Sequence, residues 1–279
     1  MTVAVVTDST AALPAELIAR YSIAVVPLRL NVGSRSVFDG EVSGADIAMA
    51  LRERVAVSTS RPSPAEFAAV YQRLLDGGAS QIVSVHLASA LSGTWEAAVL
   101  AAQDFPHGTV RVVDSRGAGM ALGYAVIAAA DAATTGKDAA AVQGAATEIV
   151  DHTRTMFYVD TLEHLRRGGR ISNAQALLGT SLAVKPLLQM VEGRVVPLEK
   201  VRTSSKALAR LVQLTAAAAG GGPVDVAVHH LDAGDRAAAV ADQLRAAISQ
   251  LGELRVLELS AVLGAHLGPG AIGTVVVRR

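Results

Sequence analysis

The sequence predicts an α/β protein of two domains: an N-terminal α/β domain on a parallel sheet, then a C-terminal α+β domain with a mixed sheet. Three observations predict it. Up to about residue 150, short continuous apolar runs alternate with helical segments, the pattern of strands buried on both faces of a parallel sheet. Beyond that point the runs 187–191 and 194–198 flank Glu192-Gly193, a hairpin signal that requires an antiparallel pair. The chain of 279 residues, 51% of them hydrophobic, is long enough for one large or two ordinary domains with ample core. The expected division is 1–155 and 156–279.

Taken in order, residues 3–7 form an uninterrupted apolar strand that ends at Asp8-Ser9-Thr10, and Pro14 opens a helix to about Tyr21. The run 23–30 reads as a second strand with Gly33-Ser34 as a turn, and 43–54 as a helix with Ser43 as cap and Asp46 three residues on. In Ser58-Thr59-Ser60-Arg61-Pro62-Ser63-Pro64-Ala65-Glu66, Ser63, Pro64 and Glu66 form a capping box that opens a helix to Asp76. Thr59 and Ser60 lie upstream of that cap, have no such duty, and are candidates for a site. Residues 81–85 read as a buried strand that runs through His86-Leu87-Ala88-Ser89-Ala90-Leu91-Ser92-Gly93-Thr94-Trp95-Glu96 into a helix over 97–103. Ser92 or Gly93 is the candidate N-cap there. The free N–H groups suit an anion, and Ser92 and Thr94 can add hydroxyl donors; the simpler alternative is that Ser92 only caps the helix.

Residues 110–114 read as a strand, and 117–134 and 138–152 as Ala-rich helices separated by Gly136. In the second half, 156–159 is strand-like. Leu162-Glu163-His164-Leu165-Arg166-Arg167-Gly168-Gly169-Arg170-Ile171-Ser172 is a short helix ending at two glycines. A helix over 204–219 stops at Gly220-Gly221-Gly222, and strands at 224–229, 254–259 and 272–277 with a helix at 236–250 complete the pattern. Ligands of parallel α/β sheets bind beyond the carboxyl ends of the strands, so Asp8-Ser9, Thr59-Ser60 and the Ser92 turn are expected to converge there.

Composition excludes several functions. Lys plus Arg and Asp plus Glu each total 25, so nothing suggests a broad surface for nucleic acid or an anionic membrane. The absence of Cys excludes disulfides, thiolate chemistry and a zinc thiolate site, and fits a cytoplasmic protein. The first six residues lack a basic n-region and read as a strand rather than a signal peptide. The longest apolar-rich uncharged run, 118–130, is too short to span a bilayer, so the chain is expected to be soluble.

No Gly-x-x-x-x-Gly-Lys-Ser/Thr loop occurs, and Arg116-Gly117-Ala118-Gly119 lacks the continuation of a dinucleotide fingerprint. His229-His230 are adjacent on an apparent strand and point to opposite faces, which disfavours a shared metal. Ala90-Leu91-Ser92-Gly93 supplies half of a nucleophile elbow, and His266 could serve Ser92 as a base, so a hydrolase stays open. His266 lies in Leu263-Gly264-Ala265-His266-Leu267-Gly268-Pro269-Gly270-Ala271, read as a glycine-rich loop suited to close backbone approach. An imidazole beside hydroxyls and helix N–H groups suits a carboxylate or phosphate.

Six stretches in register carry a resemblance. Thr7-Asp8-Ser9-Thr10-Ala11-Ala12-Leu13, Thr59-Ser60-Arg61-Pro62-Ser63, Ser89-Ala90-Leu91-Ser92-Gly93-Thr94-Trp95, Leu165-Arg166-Arg167-Gly168-Gly169-Arg170-Ile171, Val201-Arg202-Thr203 and His266-Leu267-Gly268-Pro269-Gly270-Ala271 resemble, in order, the motifs of the DegV family. The resemblance runs from residue 2 to the C-terminus, and that family includes the FakB fatty-acid-binding subunits of the bacterial fatty acid kinase. Arg61 stands where the family often has Gln, and Trp95 where Tyr is common.

The resemblance implies a two-domain DegV-like fold enclosing one long-chain fatty acid, with the acyl chain in an apolar tunnel and the carboxylate at the domain interface. It implies carboxylate binding by Thr59, Ser60, Ser92, Gly93, Thr94 and His266, supported by Asp8, Ser9, Arg61 and Gly268. Hydroxyl, N–H and imidazole donors can satisfy a carboxylate while leaving it accessible for phosphorylation. The bound acid would be presented to a separate ATP-dependent kinase subunit, with Arg166, Arg167, Arg170 and Arg202 as candidate docking residues. On this likeness the chain is a carrier with no catalysis, cofactor or metal of its own and no nucleic-acid partner, and transient membrane contact is compatible with it. The alternatives are an acyl ester or acyl phosphate hydrolase using Ser92 and His266, and a lipid-binding protein with no kinase partner.

Overall fold

A computed structural model describes residues 2–171 and 185–279; Ser172, read as the end of a short helix, lies outside the described residues. The chain forms two compact units, Met1–Arg29 with Ser60–Asp151, and Leu30–Thr59 with His152–Arg279.

The first unit is built on a four-stranded parallel sheet in the order Ala24–Val26, Val3–Asp8, Gln81–His86, Val110–Asp114. Its strands read as continuous apolar runs because both faces are covered. Val6 and Ile82 pack with Phe67, Tyr71 and Ala98 of the helices Pro64–Asp76 and Thr94–Ala102. Val5, Val83 and Val85 pack with Leu122, Ala125, Val126 and Val142 of the helices Met120–Thr134 and Ala139–Asp151. Small residues allow that second helix layer to approach closely: a Cβ on Gly123 would lie 2.8 Å from the Ala11 carbonyl oxygen. The expected capping box is present, with Ser63 N–H donating to Glu66 Oε2 (2.8 Å) and Glu66 N–H to Ser63 Oγ (3.3 Å). The helix expected from 117 begins at Met120, because Gly119 turns at φ 61° and donates its N–H to the Thr10 carbonyl (2.8 Å).

The second unit carries a mixed six-stranded sheet in the order Arg194–Val201, Lys185–Val191, Thr153–Tyr158, Ile272–Arg278, Val224–His230, Leu251–Glu258. All its neighbours are antiparallel except the last pair. The hairpin at Glu192-Gly193 is as expected, with φ of 46° and 73°. Ser204–Ala219 and Gly234–Ala247 cover the core through Ala207, Leu211, Val240 and Leu244 against Val226, Val228 and Ile272.

The division departs from the continuous boundary expected near 155, because residues 30–59 cluster with 152–279. The run 23–30 is two strands parted at Pro27, which has no N–H for a ladder: Ala24–Val26 lies in the parallel sheet and Arg29–Val32 in a three-stranded sheet with Arg35–Phe38 and Val57–Ser60. Thr59-Ser60 therefore ends a strand of this smaller sheet, not of the parallel one. Long-range contacts tie 30–59 to the C-terminal segment. Val262 N–H donates to Asp39 Oδ1 (3.3 Å), Arg52 pairs with Asp232, and a Cβ on Gly44 would lie 2.9 Å from Leu231. Among the described residues, no helix is long and apolar enough to cross a membrane.

Candidate functional site

His266 stands in the last turn of the helix Ala261–Leu267, where a loop was expected. Ser260 caps that helix by accepting the Leu263 N–H (3.3 Å), and Gly268, at φ 79°, ends it. The turn brings His266 Nε2 to 2.8 Å from Thr59 Oγ1, on the strand Val57–Ser60. Burial, then the Arg170 guanidinium, holds the His266 imidazolium down to about 4, so the ring is neutral at physiological pH. One ring nitrogen is then a donor and the other an acceptor.

The pair opens on a cavity of about 240 Å³ whose polar lining comes from Ser58, Thr59, His164, Arg167, Arg170 and His266. Burial, then Arg167, also lowers the pKa of His164, whose Nδ1 is buried without a hydrogen-bond partner among the described residues. Arg167 is exposed and lies 3.6 Å from Glu163, while Arg170 donates to the Gly168 carbonyl. Two glycines admit the imidazoles. A Cβ on Gly168 would lie 2.4 Å from His266 Nδ1, and one on Gly268 would lie 2.2 Å from His164 Cδ2. Among the described residues the lining offers hydroxyl, imidazole and guanidinium donors and no carboxylate, so it suits an anion. Sequence reasoning missed His164. Its signal was the i, i+3 spacing to Arg167, which puts both on one helix face.

In the first unit, Gly93 rather than Ser92 is the N-cap of Thr94–Ala102, and no side chain caps that helix. The Ser92 hydroxyl lies 2.9 Å from Thr94 Oγ1 instead, with Thr94 buried and Ser92 half-buried. Arg61 donates to the Gly93 carbonyl at 3.1 Å, which gives this departure from the family motif a backbone partner. The turn is pinned along its length: Leu87 N–H donates to Asp8 Oδ2 (3.0 Å), Ser89 Oγ to Asp114 Oδ2 (2.6 Å), and Ser92 N–H to the Ala88 carbonyl (3.2 Å). Asp8 is fully buried and caps the turn Ser9–Ala11, and Ser9 Oγ accepts the Leu28 N–H at 3.1 Å. Ser60 is exposed. Arg166 and Arg202 are exposed and do not line the cavity, unlike Arg167 and Arg170.

Residues 2–279 match the model of a family described as "Uncharacterised protein, DegV family". A DegV domain-containing protein of Streptomyces coelicolor is 53% identical over 278 residues, covering 99% of each chain. A DegV family protein from Thermus thermophilus, described for its fatty acid binding, is 36% identical with a TM-score of 0.95, covering 100% of both chains. DegV of Bacillus subtilis, described as a fatty acid binding protein, is 31% identical with a TM-score of 0.90, again over 100% of both chains. The match along the whole length is that of kin: the chain belongs to the DegV family.

Proposed function

We propose that this protein binds one long-chain fatty acid and holds its carboxylate through Thr59, Ser60, Ser92, Gly93, Thr94 and His266. The observation that carries the reading is the Thr59–His266 pair at 2.8 Å on the edge of a polar cavity with no carboxylate among its described residues, in a chain whose relatives are described as fatty acid binding. A neutral His266 that donates from Nε2 to Thr59 Oγ1 leaves the Thr59 proton for a ligand oxygen. Ser92 and Thr94 add hydroxyls, and Gly93 a backbone N–H. These direct donors are themselves uncharged, so that one carboxylate oxygen remains open to phosphorylation. We assign the protein the role of a cytoplasmic carrier without catalysis of its own, which presents the acid to a separate ATP-dependent kinase subunit. Arg166, Arg167, Arg170 and Arg202 are the docking and phosphate-steering residues on this reading.

Displacement of a fluorescent fatty acid from the full chain tests the head group directly. Thr59→Val and His266→Gln should each weaken binding by about 10-fold, the loss expected for a hydrogen bond to a charged partner. Wild-type affinity in both variants would overturn the assignment. Turnover of a chromogenic short ester, lost in Ser92→Ala, would instead establish the hydrolase.

A further inference from the structure

Beneath the Ser92 turn lies a polar chain that the head-group reading leaves unused. Asp8, His86, Ser84 and Tyr71 are all at 0% exposure. His86 Nδ1 lies 3.0 Å from Asp8 Oδ2, His86 Nε2 lies 2.6 Å from Ser84 Oγ, and Tyr71 OH donates to Ser84 Oγ at 2.9 Å. Buried polar groups on this scale persist only where each is satisfied.

The proton positions follow by elimination. The Asp8 carboxylate accepts the Thr10 N–H (3.0 Å) and hydroxyl (2.5 Å) at Oδ1 and the Leu87 N–H (3.0 Å) at Oδ2. Its remaining contact, His86 Nδ1, must therefore donate. In a neutral imidazole Nε2 is then the acceptor, so the Ser84 hydroxyl donates to it and is free to accept from Tyr71. Burial pushes the Tyr71 phenol up, which keeps it a donor. The Phe67 ring meets the His86 ring edge-on, with centroids 4.9 Å apart at 73°, and fixes its plane.

Asp, His and Ser in this order are the components of a hydrolytic triad, but no substrate reaches atoms at zero exposure. What the chain does reach is backbone. Asp8 ties together Thr10 and Leu87, which open the turns after the adjacent parallel strands Val3–Asp8 and Gln81–His86. We propose that His86, as its Nδ1–H tautomer, is a positioning residue: it orients the Asp8 carboxylate, which in turn fixes the turn presenting Ser92, Gly93 and Thr94 to the ligand head group. The functional half of this inference rests on the head-group reading above.

The test uses the full chain. Long-range ¹H–¹⁵N correlation of the wild-type protein should show His86 Nδ1 as the protonated nitrogen; protonation at Nε2 alone would overturn the proposal, even if no variant folds. His86→Asn keeps an N–H donor at the Nδ1 position, whereas His86→Leu has none. Leu87 amide exchange and fatty-acid Kd should both rise by about 10-fold in His86→Leu and stay near wild type in His86→Asn, the size expected for one donor lost to a buried carboxylate. A folded His86→Leu with lower Tm but unchanged Leu87 exchange would mean that His86 serves folding alone, and would sink the proposal. A wild-type chain that takes up no fatty acid would instead refute the head-group reading, and the exchange comparison would still judge the positioning.

Discussion

The neutrality of His266 has a pH consequence. His266 and the buried His229 are both held down to about 4, chiefly by burial, against 6.5 for an ordinary histidine. The unfolded chain thus binds protons at a higher pH than the folded one. The contribution of each ring is complete above pH 6.5 and is lost as pH falls toward 4; by linkage each amounts to roughly 3 kcal/mol at most. Urea unfolding between pH 7 and pH 4 should show stability falling with acid, less steeply in His266→Gln; an equal slope in the variant would contradict the burial of this ring. Gly168 supplies a geometric test. Its φ of −73° suits any residue, but a Cβ would lie 2.4 Å from His266 Nδ1. Gly168→Ala should therefore displace the imidazole from Thr59 and weaken fatty-acid binding by about 10-fold, the loss of one hydrogen bond to a charged partner; unchanged affinity would show that the pair is not required. Thr59 stood out as a candidate in the sequence because, upstream of the Ser63 cap, it had no structural duty, and Ser92 because its hydroxyl lies at a strand-to-helix turn. His164 was passed over because its i, i+3 spacing to Arg167 is a weak signal by itself, and the room that Gly268 makes for its ring is visible only in the fold.

At the scale of elements, local chemistry predicted most. The capping boxes at Ser43 and Ser63, the hairpin at Glu192-Gly193 and the helix Ser204–Ala219 follow from rules acting over a few residues, and each is present. Ser63→Ala should cost about 1 kcal/mol, read as a lower urea midpoint at constant m-value, because it strips the Glu66 N–H of its acceptor. An unchanged midpoint would mean that solvent replaces the cap at no cost. Where tertiary contacts decide, sequence reading fell short. The segment around His266 looked like a loop because of its glycines, yet Gly264 sits inside the helix Ala261–Leu267, where a Cβ would lie 2.8 Å from Leu231. The glycine marks close packing rather than an irregular backbone. Pro27 likewise divides an apolar run that periodicity alone joins.

Across the whole molecule, the two sheet types were predictable from the change in pattern near residue 150, whereas the membership of residues 30–59 was not. It depends on pairs far apart in sequence, Asp39 with Val262 and Arg52 with Asp232, which no local pattern encodes. The chain therefore passes from one unit to the other between Thr59 and Ser60, within the motif assigned to the head group. Full-length kinship with fatty-acid-binding DegV proteins and the uncharged Thr59–His266 pair lead to the same central claim, a single fatty acid held by its carboxylate. Mass spectrometry of the organic extract from protein purified without added lipid, beside Ser92→Ala and His266→Ala, tests that claim most directly. The wild type should carry about one equivalent of a long-chain fatty acid, as for a single enclosed pocket, and both variants less. A wild-type protein that carries no lipid and takes up none on incubation would contradict it.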